Sequence, residues 1–500
     1  MNRRFVQFAF LLMTVVIATS LVLPARAQDP TGNMIALDHP YAPFLESRAY
    51  GASMGATAEF LKMEWVVLDN TNMKYYVSMS NIGASMSDGA GDISIDEDPC
   101  GIVYTADLTA DYNITEMRPL VVGGPFDGAA APNMCALDNI SNPDGLALDA
   151  RGRLWIAEDT SYHENNMLWV YDPTDASLKR FATVPLGAEL TGPYITAQGT
   201  LLFSSQHPHN TNTEPFNAGT VVVINGFNAN TDDFEPLAVP EGDAKLTITV
   251  AAGTVQVLAR SGDPIPNSAD GQVFGAINTV SGEPILVSNS PDGLMWLPTD
   301  ETGTSATLYF NYEGAPGGVG RVTVTQTTDG WEVTEGHMVD FSSVRGTWLN
   351  CGSSVTPWNT GLTAEEYEPI ASDFANVGGM DTYLGAPANP YDYGWIVELV
   401  PDGATDVVTK HYVMGRKSNE IAAVAADGKT TYFGDDGNNT MLFKFVATNA
   451  GDLSAGTLYA AKITQTGGTS LTDHRFGIEW IELGTATNAE IEAAIRELDR

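Results

Sequence analysis

Glu64, Asp144, Glu420, Asp435, Asp436 and Cys351 are the side chains of this 500-residue chain whose types and settings suit chemistry. Each sits at the edge of a short apolar run. Examples are Lys62-Met63-Glu64-Trp65-Val66-Val67, Asp144-Gly145-Leu146-Ala147-Leu148 and Tyr432-Phe433-Gly434-Asp435-Asp436. Carboxylate oxygens suit Ca²⁺ and Fe³⁺, and a thiolate among them favours a transition metal. Carboxylates that converge repel one another, so they are paired or hold metal. Two metals sharing a carboxylate can clamp a phosphoryl group during in-line displacement. Lys62, two residues before Glu64, and Arg416 and Lys417, four and three before Glu420, are the basic groups that could hold phosphate oxygens. Other chemistries lack their motifs. There is no Gly-x4-Gly-Lys-Ser/Thr loop, no His-Glu-x-x-His and no Cys-x-x-Cys. The seven histidines form no dense cluster, and His207 and His209 suit a turn or channel lining better than a zinc site. Asp88, Asp92, Asp96 and Asp98 lie in one Gly-rich loop that could chelate a hard cation, although the spacing is not that of an EF-hand.

Residues so distant in sequence meet only if the scaffold brings them to one axis. Six segments read as variations on one phrase of strand, Asp/Gly turn, strand. Three are clear, at 62–81, 144–159 and 420–436, and three looser copies start at Gly192, Gln272 and Arg345. Fixed-phrase repetition is the signature of a repeat architecture, and this phrase is half of a β-propeller blade. The expected fold is an all-β, six-bladed propeller with long inserted loops. The innermost strand of each blade lines a central channel, where equivalent acids converge. Thr487-Asn488-Ala489-Glu490 has capping-box spacing and opens a short C-terminal helix.

Forty-nine Gly and 27 Pro among short aromatic and β-branched runs agree with an all-β chain. Residues 1–27 read as a signal peptide: Arg3 and Arg4, an apolar run from Phe8 to Leu23, then Ala25-Arg26-Ala27. The remainder, 28–500, reads as one propeller domain with an irregular arm at 28–50. The expected location is secreted or periplasmic. A formal charge of −38 argues against nucleic acid and anionic membrane surfaces as partners. No second apolar stretch is long enough to span a bilayer. Of three cysteines, Cys100 and Cys135 are the closer pair, which leaves Cys351 free, either buried or bound to metal as thiolate.

Several segments together resemble the PhoX-type alkaline phosphatases. They are Arg345-Gly346-Thr347-Trp348-Leu349-Asn350-Cys351-Gly352, Thr356-Pro357-Trp358-Asn359-Thr360 and Glu365-Glu366. Tyr393-Gly394-Trp395-Ile396-Val397-Glu398, Gly415-Arg416 with Glu420, and Tyr432 to Phe445 continue the match, and Asn142-Pro143-Asp144 with Leu154 to Asp159 also belongs to it. The resemblance implies a six-bladed propeller holding Fe³⁺ and Ca²⁺, with iron bound by Cys351, Glu64 and Glu420. Asp144 and Asp435 or Asp436 would hold metal, most simply Ca²⁺. It implies hydrolysis of a small phosphate ester, with a metal-bridging oxygen as nucleophile; Lys62, Arg416 and Lys417, in that order, are the basic candidates to hold the substrate. This chain departs from the family pattern at Lys62, where the family tends to have Arg, and at Asn419, where it usually has His. The segments also run in the order of a circular permutation, which a closed ring tolerates. That order requires 475–500 to lead back toward 39–50. Two rival readings remain open at this stage: a Ca²⁺-dependent lactonase or esterase, suggested by Asn-Pro-Asp-Gly, and a non-catalytic binding propeller. The sequence carries no information on oligomeric state.

Overall fold

Short β-branched and aromatic runs punctuated by Asp/Gly turns fold here into six antiparallel meanders of four or more strands. The computed structural model describes residues 35–268, 271–373 and 377–499. The innermost strands are Phe60–Asp69, Pro143–Leu148, Glu189–Ile195, Pro291–Pro298, Asn350–Val355 and Asn419–Val424. Each pairs antiparallel with the strand that follows it in sequence. Each also touches the inner strands of the meanders before and after it, and the sixth touches the first. The ring is therefore closed, and the protein is a β-propeller, the class the repeats predict.

Closure is made of hydrogen bonds as well as packing. The inner strand Phe60–Asp69 pairs with Thr430–Thr440 of the sixth meander, with Met63 opposite Asp435. At the outer rim Arg475–Thr487 pairs with Glu116–Val122, with Phe476 opposite Met117. First and last meanders thus form one nine-stranded sheet. Phe60, Met63, Tyr75, Tyr432, Ala461 and Phe476 fill the space between them.

The fourth repeat differs from expectation. Residues from Gln272 to Asn289 do not form an inner strand. They make a small separate hairpin, Ala276–Asn278 with Pro284–Val287. The inner strand begins at Pro291, whose Pro-Asp-Gly-Leu repeats the Pro-Asp-Gly-Leu at 143–146. The apolar alternation of a surface hairpin imitates that of a blade, so periodicity alone misplaced it.

The N-terminal arm is also more ordered than expected. Pro43 opens a helical turn at Ala42–Leu45, and a second helix spans Ser47–Ser53. The C-terminal helix Asn488–Glu497 carries the expected capping box, with Thr487 Oγ1 accepting from the Glu490 amide and Glu490 accepting from that of Thr487. Ala42, Phe44 and Leu45 share an apolar cluster with Ile491, Ala494 and Ile495. The two terminal segments therefore lie together, as a permuted order requires. Cys100 and Cys135 form a disulfide, and Cys351 is free and buried. The expected signal at 1–27 lies outside the described residues. Among those described, no helix is long and apolar enough to cross a membrane.

The Thr-Pro-Trp segment, the most specific part of the resemblance, supports the blade. Trp358 Nε1 and Thr360 Oγ1 donate to Glu398 Oε1 at 2.9 and 2.6 Å, and His411 Nε2 lies 2.9 Å from Oε2. Burial raises the Glu398 pKa, but the His411 hydrogen bond and charge, with Thr360 and Trp358, outweigh it and pull it down to about 2. A carboxyl depressed in the folded state stabilises above its unfolded value, near 4.5, and that stability is lost as pH falls through about 2. Replacing Glu398 with Gln should cost about 1–3 kcal/mol at pH 7. In thermal unfolding the gap from the wild type should close as pH drops from 4.5 to 2; a gap independent of pH would refute it.

Candidate active site

One irregularity recurs in every inner strand: two of its residues face one on the neighbouring strand. The bulges fall between Met63 and Val66, Pro143 and Leu146, Thr191 and Tyr194, Pro291 and Leu294, Asn350 and Ser353, and Asn419 and Ala422. A bulge re-aims the side chain it contains. The first residue inside each is Glu64, Asp144, Gly192, Asp292, Cys351 and Glu420. Five of the six are metal-ligand types. In the third strand Gly192 takes the place, and an acid, Glu189, stands three residues earlier.

The second strand of each meander adds another tier. Opposite the start of each bulge lie Met79, Glu158, Ser204, Tyr312, Glu365 and Asp435, followed by Ser80, Asp159, Ser205, Glu313, Glu366 and Asp436. Adjacent residues of a strand point to opposite faces. In the pairs Glu158-Asp159, Glu365-Glu366 and Asp435-Asp436 the first acid turns away from the hub and finds its partners there. Glu158 accepts from Trp169 Nε1 at 2.7 Å and from the Ser141 and Met167 amides. Glu365 pairs with Lys410 at 2.9 Å and accepts from the Gly394 and Trp395 amides. Asp435 is held by Arg48.

The second acids meet at the hub with the inner-strand set. Cys351 Sγ lies 3.2 Å from both Asp292 Oδ2 and Glu420 Oε1. One ligand atom each from Glu313, Cys351 and Glu366 falls within 4.8 Å of the others. Thr191 Oγ1 and Gln206 Nε2 hold Asp292 at 2.6 and 3.0 Å, and Ser80 Oγ holds Glu64 at 2.6 Å. Lys62 Nζ reaches Asp436 at 2.7 Å, Glu64 at 3.3 Å and Tyr367 Oη at 3.1 Å. Tyr367 Oη also donates to Asp436. Both Lys62 and Tyr367 have left-handed backbones, φ 52° and 44°. Such strain at bulky residues marks positions the fold over-determines. His207 stands at the rim, 3.4 Å from Glu189.

The electrostatics are those of crowded anions. Burial, then neighbouring carboxylates, pushes Asp144, Glu189, Glu366 and Glu420 well above the usual carboxyl range. Glu64 and Asp292 are pushed up to about 7, mainly by burial and then by Asp436 and Glu313 respectively. Burial and the adjacent acids likewise raise the Cys351 thiol. Asp436 is the exception. Burial works against its charge, but Lys62 and hydrogen bonds from Glu366, Lys62 and Tyr367 hold it below the ordinary value. Among the described residues, Asp144 Oδ1 is buried and finds no hydrogen-bond partner. An orphaned carboxylate oxygen among other buried acids and a thiol is what a site for cations presents.

Glycine permits this crowding. A Cβ on Gly434 would lie 1.8 Å from the Glu64 carbonyl oxygen and 2.8 Å from Glu420 Cβ, and one on Gly352 would lie 2.2 Å from the Glu420 carbonyl oxygen.

Of the residues singled out by sequence, Lys62, Glu64, Asp144, Cys351, Glu420 and Asp436 come together. Asp435 and Arg416 do not. Asp435 faces Arg48, because strand alternation sends it away from its neighbour. Arg416 lies over the Tyr391 ring and donates to the carbonyls of Tyr393, Pro369 and Pro390. Lys417 is buried over the Phe433 and Phe443 rings, 3.7 and 5.2 Å from their centroids. Nearness to Glu420 in sequence did not decide where these side chains point. The loop acids scatter: Asp92 pairs with Lys462, while Asp88 and Asp98 cap backbone amides. Gly51-Ala52-Ser53-Met54-Gly55 spells Gly-x-Ser-x-Gly, yet Ser53 ends a helix and donates to Tyr50 O, so it forms no nucleophile elbow. Sequence reasoning missed Asp159, Glu189, Asp292, Glu313, Glu366 and Tyr367. The second Pro-Asp-Gly-Leu was a signal for Asp292.

A family model described as alkaline phosphatase PhoX matches residues 33–209 and 317–498. The stretch between these segments includes Asp292 and Glu313. No curated protein matches the chain. Among solved structures, an α-L-arabinanase of Penicillium chrysogenum is 9% identical with a TM-score of 0.39, over 86% of this chain and 97% of that one. The β-propeller domain of Myceliophteria thermophila Cps50 is 11% identical with a TM-score of 0.33, over 74% and 93%. A luciferin-regenerating enzyme is 8% identical with a TM-score of 0.34, over 87% and 95%.

Proposed function

Because the chain belongs to the alkaline phosphatase PhoX family, we propose that it hydrolyses small phosphate esters at the propeller hub, using bound iron and calcium. The observation that carries this reading is the convergence of Glu64, Asp144, Glu189, Asp292, Glu313, Cys351, Glu366 and Glu420. Those groups would hold the cations: the oxygens suit calcium and ferric iron, and the thiol suits iron. Cations there supply Lewis-acid polarisation of a phosphoryl group and activation of water.

The chain's own contribution lies at the open edge of the hub. The Lys62 side chain is 30% exposed and Tyr367 38%. An ester's phosphoryl oxygens would meet the Lys62 ammonium and the Tyr367 hydroxyl, both oriented by Asp436. An ammonium holds an oxygen as a point charge, without the two-pronged geometry of a guanidinium. Ser80, Thr191 and Gln206 fix the carboxylates of Glu64 and Asp292, so these need not reorganise as charge shifts.

We also propose export. The Cys100–Cys135 disulfide suits an oxidising compartment, and the apolar run at 8–23 suits a signal peptide.

Protein purified without chelator should contain both iron and calcium by elemental analysis and should release nitrophenol from p-nitrophenyl phosphate at alkaline pH. Full activity in iron-free protein would overturn the reading. Turnover of lactones but not phosphate esters, with a single calcium per chain, would replace it with the lactonase alternative.

A further inference from the structure

The acid pairs of the second strands differ in where the outward-facing member finds its partner. Glu158 meets Trp169 and His163, and Glu365 meets Lys410; all are residues of the same meander. Asp435 meets Arg48, which lies on the helix Ser47–Ser53, before the first blade begins. Arg48 Nε lies 3.0 Å from both Asp435 oxygens, Nη2 donates to Oδ1, and Nη2 also donates to the Asp436 carbonyl at 2.7 Å. The Met441 amide donates to Asp435 Oδ2 at 3.1 Å, which closes the turn that follows. The Asp435 side chain is fully buried, and the Arg48 side chain is 12% exposed.

The position of this pair gives it leverage. Asp435 stands opposite Met63 on one side and Asn419 on the other. Those residues immediately precede Glu64 and Glu420. Asp436, the next residue, orients Lys62 and Tyr367. One guanidinium outside the ring therefore grips the corner where two ligand strands and the substrate-facing cation meet.

We propose that Arg48 is a positioning residue of the hub, through which the N-terminal helix fixes the Asp435-Asp436 corner and so the placement of Lys62 and Tyr367. As a statement about substrate it rests on the phosphatase reading; as a statement about the corner it does not. An ammonium at position 48 keeps the charge but cannot bridge both Asp435 oxygens and the Asp436 carbonyl. Arg48→Lys should therefore leave the circular dichroism spectrum and the metal content unchanged. It should raise KM for p-nitrophenyl phosphate, and weaken inhibition by inorganic phosphate, by about tenfold each, with a smaller change in kcat. Amide hydrogen exchange across 434–441 should rise about tenfold and stay unchanged in the opposite meanders. Phe44→Ala removes a buried ring from the apolar cluster under the same arm. It should lower Tm and leave KM and that exchange alone. If Arg48→Lys does not fold, the charge-free pair Arg48→Met with Asp435→Asn replaces it, with the same expectations. Unchanged exchange and KM in the Arg48 variant, or equal changes in Phe44→Ala, would reduce Arg48 to a general structural contact. Raised exchange in a protein that neither hydrolyses the ester nor binds phosphate would keep the positioning role and remove the phosphatase reading.

Discussion

Replacing Cys351 with Ser should abolish ester hydrolysis, by more than about 100-fold in kcat, while the propeller stays folded. Disturbing only the surroundings of metal ligands costs roughly 10–100-fold, and Cys351 is proposed as a ligand itself. Its sulfur touches carboxylates from the fourth and sixth meanders at 3.2 Å each, so one atom bridges three inner strands. Serine's oxygen is harder than sulfur, and its hydroxyl holds its proton more tightly than a thiol. Iron content should fall with activity, and calcium should fall less, because oxygen ligands remain. Any visible absorption from sulfur-to-iron charge transfer should vanish. The fold should survive, since the substitution is nearly isosteric. Wild-type turnover with wild-type iron in Cys351→Ser would remove the thiolate from the site.

The largest effect on the fold should come from Gly434→Ala. A methyl group there meets a backbone carbonyl at 1.8 Å, and backbone cannot swing aside as a flexible side chain can. Either the strand Thr430–Thr440 or the strand Phe60–Asp69 has to move. The first carries Asp436, and the second carries Lys62 and Glu64. Overpacking in interiors typically costs about 1–3 kcal/mol, and a clash with main chain belongs at or above the upper end. Reduced soluble yield, a Tm at least several degrees lower and loss of bound metal are expected together. An alanine variant with unchanged Tm and metal content would show that the inner strands are looser than this packing implies.

The sequence made the fold readable where each blade opened on its own acid. Glu64, Asp144 and Glu420 stand at equivalent bulges, and their flanking apolar runs announce strands. The third and fourth blades were obscured for separate reasons. Gly192 stands in the third at the place where the other blades carry an acid or the thiol. In the fourth, a surface hairpin ahead of the inner strand carries a competing alternation, so Asp292 passed unnoticed although its four-residue setting copies that of Asp144. Asp435 and Asp436 could not be told apart without register, because strand alternation sends neighbours to opposite faces. The partner that claims Asp435 lies 387 residues away in the chain. Tyr367 follows a Glu-Glu pair in a long loop, and nothing in its neighbours foretells the left-handed backbone that aims it at Lys62.

The double seam between the first and last meanders bears on how this molecule comes apart. With hydrogen bonds at both the inner and the outer rim of the joint, no sector has a free flank from which to peel. The acids and the thiol that converge from different sectors lose their partners together once any sector leaves. Loss of cations and loss of structure should then be a single cooperative event, with no populated intermediate that keeps five sectors and a working centre.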